Sequence, residues 1–170
     1  MKQANFLFLT AVFFVLSACT ATGPVFTEAQ RESDRQAVIY IYHPKDDQYG
    51  SEEANFLFYK GEKVFRFTHG GYTYFLVEPG EHIFDIKLSF FGIASRTKGS
   101  VTVNAKQGDI YYVKYREELD RVETWSTGTM VGASRITRAN IQEVPVEVGS
   151  KEILSMRYIA PKITSKGTGQ

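Results

Sequence analysis

The chain has only one cysteine, Cys19, among its 170 residues. Once that cysteine is acylated, as its position suggests below, no thiol is left for a disulfide, a thiolate metal site or redox chemistry. Net charge is lacking too, because 20 Lys and Arg residues face 19 Asp and Glu residues. Nucleic acids and anionic membrane surfaces attract proteins through net positive charge, so neither is expected as a target.

The chain also lacks a hydrophobic run long enough to cross a bilayer. Its longest run, Phe6 to Leu16, has about eleven residues, whereas a spanning helix needs roughly 20. Lys2 precedes the run and small residues follow it, which is the pattern of a bacterial export signal. We therefore expect residues 1–18 to be removed. Removal of 18 of the 170 residues leaves 152, enough for one domain with its own core.

The signal ends in Leu16, Ser17, Ala18 and Cys19, which resemble the lipobox of bacterial lipoproteins. The resemblance implies that the signal is cut before Cys19 and that the cysteine is acylated. One fatty chain binds a bilayer only marginally, at about 0.8 kcal/mol per buried CH₂, so several chains would hold firmly. Thr20 stands where an Asp would imply inner-membrane retention. This favours the outer membrane, with the domain facing the periplasm or exposed at the surface. The alternatives for Cys19 are a small buried thiol or a free cysteine.

Residues 19–36 are predicted to be the lipidated N-terminus and a tether, because residues 20–36 show no sustained apolar period. A flexible coil of that length reaches on the order of 20 to 25 Å. Residues 160–170 contain Pro, Lys, Gly and Thr and are predicted to be a frayed tail. The folded domain is therefore expected to span residues 37–159.

Aromatic residues are abundant, with 10 Tyr and 13 Phe. Aromatic and β-branched side chains suit a pleated, half-buried surface. The segment from Ala37 to His43 is apolar on both faces and predicts a central strand covered on both sides. The segment from Glu81 to Leu88 alternates like a strand with one buried face. Further strands are predicted at residues 54–59, 62–68, 72–77, 99–105, 109–116, 121–129 and 135–148.

These patterns predict an all-β fold, an antiparallel β-sandwich of roughly seven to nine strands with a short C-terminal helix. The tightest hairpin signal is Lys60-Gly61. Ser150 can cap the helix, which is predicted over residues 151–158. No helix-length connection precedes residue 150, so antiparallel neighbours are expected.

Three stretches, residues 37–44, 71–82 and 108–114, resemble a family of bacterial lipoproteins known only as a domain of unknown function. The resemblance covers residues 37–148 and implies a small β-sandwich of transthyretin-like type behind a lipobox. It implies no activity and no catalytic residues. The turn formed by Pro79, Gly80 and His82 is one of its most specific parts, and we expect these residues to be structural.

The chain has three histidines, and they show no metal-ligand spacing with other His, Cys, Asp or Glu residues. His43 and His69 are expected at strand ends. His82 lies on the apolar face of its predicted strand, where a hydrogen-bonded core histidine is the simplest interpretation. No metal and no cofactor is therefore predicted.

Other polar motifs carry little specific chemistry. Ser95 and Lys98 have the Ser-x-x-Lys spacing of penicillin-interacting enzymes, but that motif requires a helix in a large α/β domain, and chance is the better account. Three acidic pairs allow general acid–base catalysis in principle, although adjacent carboxylates on loops are usually solvated. The pairs are Asp46-Asp47, Glu52-Glu53 and Glu117-Glu118.

The most suggestive surface feature is a predicted loop over residues 90–98. Phe90 and Phe91 lie there beside Arg96 and Lys98, and apolar residues in a loop can mark a partner contact. The cations would favour lipid phosphate or an anionic glycan. The alternative is that both phenylalanines cap one end of the core.

The sequence thus favours a lipid-anchored, non-catalytic module that presents a β-sandwich to an envelope protein or to cell-wall material. The alternative is a small periplasmic hydrolase that acts on glycan or peptide and uses His82 or loop carboxylates. A deep polar pocket that joins His82 or His69 to a carboxylate and a nucleophile would favour the enzyme.

Overall fold

The computed structural model describes residues 21–47, 55–90 and 93–162, and it gives only the backbone of residues 89, 90 and 93–96. The strands and helices follow one another closely along the chain. They are β1 Ala37–His43, β2 Asn55–Tyr59, β3 Glu62–Arg66, β4 Gly71–Val77, β5 Gly80–Phe90, β6 Ile93–Ala105, β7 Ile110–Ser126, β8 Val131–Val144, α1 Val146–Glu152, a 3₁₀ turn Ile153–Ser155 and β9 Arg157–Tyr158.

The strands form two facing sheets, which confirms the predicted all-β sandwich with a short C-terminal helix. The five-stranded sheet has the order β8-β7-β1-β4-β9, and the four-stranded sheet has the order β3-β2-β5-β6. The expectation of antiparallel neighbours is wrong for two pairs, because β1 pairs with β7 and β4 pairs with β9 in parallel. Between β1 and β7 the chain forms β4 of the five-stranded sheet and all four strands of the other sheet. Strand β7 then lies beside β1 and runs in the same direction as β1.

Strand β1 is buried along its whole length, as its two apolar faces predicted. On one face, Ile39 and Ile41 join the core between the sheets. On the other face, Tyr40 and Tyr42 join a second apolar layer. Fully burying a large apolar side chain contributes about 1.5–3 kcal/mol, so this one strand anchors both layers.

The hairpin between β2 and β3 turns at Lys60-Gly61, as the sequence predicted. Lys60 has φ 51° and Gly61 has φ 80°. Two consecutive residues with positive φ are what a two-residue hairpin of type I′ requires, and glycine adopts this conformation without steric strain.

Residues 21–30 lie against the domain, which corrects the prediction of a free tether over this stretch. Val25 forms a β-bridge with Arg157. The ring of Phe26 lies 5.3 Å from that of Tyr40, and the backbone N–H of Ala29 donates to the Tyr40 hydroxyl at 2.7 Å. These are isolated contacts outside any regular element, so they leave no periodic pattern in the sequence.

Two further predictions, the loop over residues 90–98 and the start of the helix, differ from the structure. Residues 90–98 were expected to form a loop, but β5 runs to Phe90 and β6 begins at Ile93. The helix begins at Val146, directly after Pro145 and not after Ser150, and no side chain caps it. Proline is well suited to the start of a helix, because the first N–H groups have no partner inside the helix.

A long hairpin replaces the separate strands that were predicted over residues 109–148. Beyond Lys114, β7 pairs only with β8 among the described strands, and a register shift between Leu119 and Arg121 interrupts the ladder. We call residues 119–137 the arm. At its tip, the backbone N–H of Thr127 donates to the carbonyl oxygen of Met130 at 2.9 Å.

Candidate functional site

A buried histidine–carboxylate pair lies at the end of β1, next to the base of the arm. His43 Nε2 lies 2.9 Å from Asp47 Oδ2, and both residues are buried. The same Oδ2 accepts a hydrogen bond from the backbone N–H of Glu117 at 2.8 Å. Asp47 therefore connects the segment after β1 to β7, just where the arm begins.

His43 is held in its neutral form. Burial lowers the pKa of His43 below its ordinary value of 6.5, the hydrogen bond with Asp47 opposes that shift, and His69 adds to it. The two imidazole rings lie 4.4 Å apart. Nδ1 of His43 has no hydrogen-bond partner in the described structure. A neutral ring with its proton on Nε2 donates to Asp47 and leaves only a lone pair unpaired, so we assign this tautomer from the network.

Glu117 is the second buried carboxylate of this cluster, and three side chains donate to it. Asn55 Nδ2 and the Tyr115 hydroxyl donate to Oε1 at 2.7 and 2.8 Å, and the Thr137 hydroxyl donates to Oε2 at 3.0 Å. Burial raises the pKa of the Tyr115 hydroxyl, and the neighbouring Glu117 raises it further. Since Asn55 belongs to β2 and Thr137 to β8, Glu117 ties the arm to both sheets.

The cluster's chemistry is limited by its burial and by its internal hydrogen bonds. A histidine beside a carboxylate is the base part of many nucleophilic sites, but a nucleophile must also be within its reach. The Tyr115 hydroxyl is occupied by Glu117. The described residues contain no group of three or more His, Cys, Asp or Glu side chains that fits a metal ion. The geometry thus favours a structural clamp at the base of the arm.

The acidic pairs were predicted to be simply solvated, and this is wrong for one residue in each of two pairs. Asp47 and Glu117 are buried, whereas Asp46 and Glu118 lie nearer the surface and pair with arginines. Glu52-Glu53 lies outside the described residues. The sequence alone does not predict this division, because some of the donors come from distant parts of the chain. They are the backbone N–H of Glu117 for Asp47, and Asn55 and Thr137 for Glu117.

His82 is a hydrogen-bonded core histidine, as predicted. Its Nδ1 lies 2.7 Å from the Tyr59 hydroxyl, and its Nε2 lies 2.8 Å from the carbonyl oxygen of Glu78. Both ring nitrogens therefore have partners within the domain. This arrangement gives His82 a structural role beside the turn at Gly80.

A further polar network secures α1 to the five-stranded sheet. Lys114 Nζ lies 2.6 Å from Glu152 Oε1, and the Tyr42 hydroxyl donates to Glu152 Oε2 at 2.6 Å. Partial burial alone would raise the pKa of Glu152, but the hydrogen bonds from Lys114 and Tyr42 outweigh that effect and lower it. Burial raises the pKa of Tyr42, and the bond to Glu152 adds to this. The network therefore keeps the carboxylate ionised and the phenol neutral.

The predicted site residues lie mostly beyond what the structure describes. Leu16, Ser17, Ala18 and Cys19 precede the described residues, and Phe91 also lies outside them. Phe90 is the last residue of β5, and Arg96 lies in β6 near its start, but only their backbones are described. Lys98 is half-buried in β6 and has an interaction partner. The partner contact at these four positions therefore stays a prediction.

Two open grooves lie on the described surface, and none of the three histidines lines either of them. One, of about 760 Å³, lies between residues 108–111 and residues 143–146. The other, of about 210 Å³, is lined by Gly99, Glu118, Arg138 and neighbouring residues. Both are shallow clefts at strand ends or edges.

The comparisons with known proteins identify a family but no activity. The profile of a family described as "Protein of unknown function (DUF2846)" matches residues 33–130. No curated protein and no solved structure matches the chain significantly. No helix within the described residues is long and apolar enough to cross a membrane.

Proposed function

We propose that this chain, which belongs to the DUF2846 family, is a lipid-anchored envelope protein and a non-catalytic binding or scaffold module. Its acylated Cys19 would hold it in the outer membrane, and its sandwich would face a protein or cell-wall partner in the periplasm. Exposure on the cell surface is the other orientation. The lipobox and the transthyretin-like type of the sandwich are parts of this proposal, and the two facing sheets are compatible with that type.

The lipobox-like residues Leu16 to Cys19 support the anchor, and the position of Ala21 indicates which end of the domain that anchor would hold. Ala21 is buried, and its Cβ lies 3.5 Å from where a side chain on Gly71 would begin. Gly71 pairs with His43, so Ala21 lies at the end of the sandwich where β1 stops. Cys19 is only two residues away, and two extended residues reach about 7 Å. Lipid on Cys19 would therefore hold this end of the domain directly at the membrane.

The polar clusters support a binding role over catalysis. The carboxylates of Asp47 and Glu117 and both ring nitrogens of His82 are engaged in bonds that hold strands together. Buried polar groups with internal partners stabilise a unique arrangement of the fold. A binding module needs such a rigid frame, whereas a hydrolase also needs these groups to meet substrate.

Replacing Cys19 tests the anchor. Cells that express the chain or its Cys19→Ala variant would be fed an alkyne analogue of palmitate, and the purified protein would be examined for the label. The proposal expects label on the unchanged chain only, with a Ser17→Ala variant still labelled because position 17 carries no acyl group. Label on the Cys19→Ala variant would refute the anchor.

Co-purification after mild crosslinking in intact cells tests the partner. The proposal expects the acylated chain to retain the same envelope protein or cell-wall fragment in repeated preparations. A chain that retains none would count against the binding role.

The hydrolase is kept as the second candidate because of the His43–Asp47 pair. That pair has the geometry of a base and its orienting carboxylate, at 2.9 Å. The test is to incubate the purified chain with isolated cell walls and to measure soluble fragments by chromatography. Fragment release that a His43→Asn variant loses, while the variant keeps its circular dichroism spectrum, would favour the enzyme.

A further inference from the structure

The arm exposes more apolar surface than its place in the fold explains. Five large apolar side chains of the arm are exposed to solvent. The two most exposed are Met130 and Val131, at 63% and 82%. Single exposed apolar residues are ordinary, but several on one hairpin mark an interaction site. By the strand register, Val122 and Val131 lie on one face of the arm and Trp125 lies on the other, so both faces expose apolar side chains. The five residues are Leu119, Val122, Trp125, Met130 and Val131.

The outer part of the arm carries no charge. Residues 124–134 contain no Asp, Glu, Lys, Arg or His. Nearer the sandwich, Arg121 pairs with both Asp120 and Glu123. An apolar medium excludes unpaired charges strongly, so a charge-free tip can enter one without that penalty.

The arm and the N-terminal segment lie at the same end of the sandwich. Strands β1 and β7 run in parallel, and β7 continues beyond the level at which β1 stops at His43. Ala21 lies beside Gly71, which pairs with His43. A membrane that holds Cys19 would therefore lie at the end from which the arm projects.

We propose that the arm is a second membrane contact, which lies along the headgroup region of the same lipid surface that holds Cys19. This inference rests on the proposed lipid anchor. Ala21 can be no more than about 7 Å from Cys19, whereas about ten further residues of β7 extend roughly 30 Å beyond the sandwich. The arm reaches the membrane that binds Cys19 only by lying along it.

The headgroup region suits the arm better than the hydrocarbon does. Among the described strands, the two strands of the arm pair only with each other, so each has one edge whose backbone N–H and C=O groups lack a strand partner there. Such groups need water or polar headgroups and are not tolerated in hydrocarbon. Tryptophan is enriched at the same depth, because its ring is apolar and its N–H is polar. With no charge on residues 124–134, the contact should not require anionic lipid.

Trp125 is the only tryptophan of the chain, so its fluorescence reports the arm alone. The experiment uses the full mature chain, purified with its acyl groups and inserted into vesicles of phosphatidylcholine with brominated acyl chains. We expect Trp125 to lose most of its emission when bromine lies near the headgroup end of the chains. Bromine near their methyl end should quench it much less.

Two variants serve as controls. Met130→Asp and Val131→Asp together place charge on the exposed tip, where they should leave the fold intact and restore most of the emission. Ile83→Trp in a Trp125→Phe background moves the probe to the four-stranded sheet. Ile83 is 49% exposed and Trp125 is 48% exposed, so the two sites are matched, and the moved probe should not be quenched.

The outcomes separate the two proposals. If mass spectrometry shows acyl groups on Cys19 but Trp125 is not quenched, the arm proposal is wrong, and a protein partner becomes the better explanation of the apolar tip. If Cys19 carries no acyl group, both proposals fail. Quenching that the charged tip abolishes supports both.

Discussion

Glu117 offers the sharpest test of how the arm is joined to the sandwich. Its carboxylate accepts hydrogen bonds from Asn55, Tyr115 and Thr137. Replacement with alanine leaves three buried donors without an acceptor, and each unsatisfied group costs about 1–3 kcal/mol. Three such groups together would cost about 3–9 kcal/mol. We expect Glu117→Ala to lower the free energy of unfolding by about 3–5 kcal/mol, near the lower end of that range, because these side chains can turn towards other acceptors.

A glutamine at the same position should behave differently. The amide oxygen of Glu117→Gln can accept from Asn55 and Tyr115, and its NH₂ group can donate to the Thr137 hydroxyl, which has lone pairs available. The loss of charge also removes the cost of burying it. We therefore expect Glu117→Gln to change the free energy of unfolding by no more than about 1 kcal/mol.

The measurement is urea unfolding followed by circular dichroism, with Glu118→Ala as the control. Glu118 neighbours Glu117 but lies nearer the surface and pairs with Arg138, so its loss should change stability little. A Glu117→Ala variant as stable as the unchanged chain would refute the clamp. A Glu117→Gln variant as damaged as Glu117→Ala would show that the charge itself is required.

Three further predictions follow from the packing and the buried groups. Gly149→Ala should cost about 1–3 kcal/mol of stability, because overpacking is strained and the new Cβ would lie 2.3 Å from the Tyr112 side chain; thermal unfolding measures this. The free energy of unfolding should fall as the pH drops below 6.5, because the lowered pKa of His43 means that the unfolded chain binds the proton more readily; His43→Asn should flatten this dependence. Phe26→Ala should release residues 21–30 and speed hydrogen exchange at the amide of Ala29, which donates to the Tyr40 hydroxyl.

Each of these predictions has a clear contrary result. Gly99→Ala serves as the control for Gly149→Ala, because its new Cβ would lie at an ordinary contact distance of 3.4 Å from Ala139 and Ile141 and its φ is not positive; equal losses at both sites would exclude a packing cause. A pH dependence that is unchanged in His43→Asn would assign the titration to another group. Unchanged exchange at Ala29 would show that Phe26 does not hold the segment.

The sequence predicted those parts of the fold that depend on the residues of one strand or one turn alone. The doubly apolar β1 is buried on both faces, and His82 lies in the core on the apolar side of β5. Lys60-Gly61 turns as expected, because the conformation of a two-residue hairpin depends on those two residues alone.

The remainder depends on partners that are distant along the chain. The burial of Asp47 in place of its neighbour Asp46 depends on the backbone N–H of Glu117, 70 residues further along the chain, as well as on the nearby His43, so the local pattern alone does not encode it. The arm has two exposed faces, so its residues show no alternation, and the sequence divides one hairpin into separate strands. The parallel pairing of β1 with β7 is likewise set by the path of the whole chain between them.

The central claim is that lipid on Cys19 holds this domain at the membrane. The most direct measurement is the mass of the N-terminal peptide, released by trypsin at Arg31 from chain purified out of the membrane fraction. The account predicts a peptide that begins at Cys19 and carries the added mass of several fatty acyl groups. A peptide that begins at Gln3, where trypsin would cut an unprocessed chain after Lys2, or one with an unmodified Cys19, would contradict it.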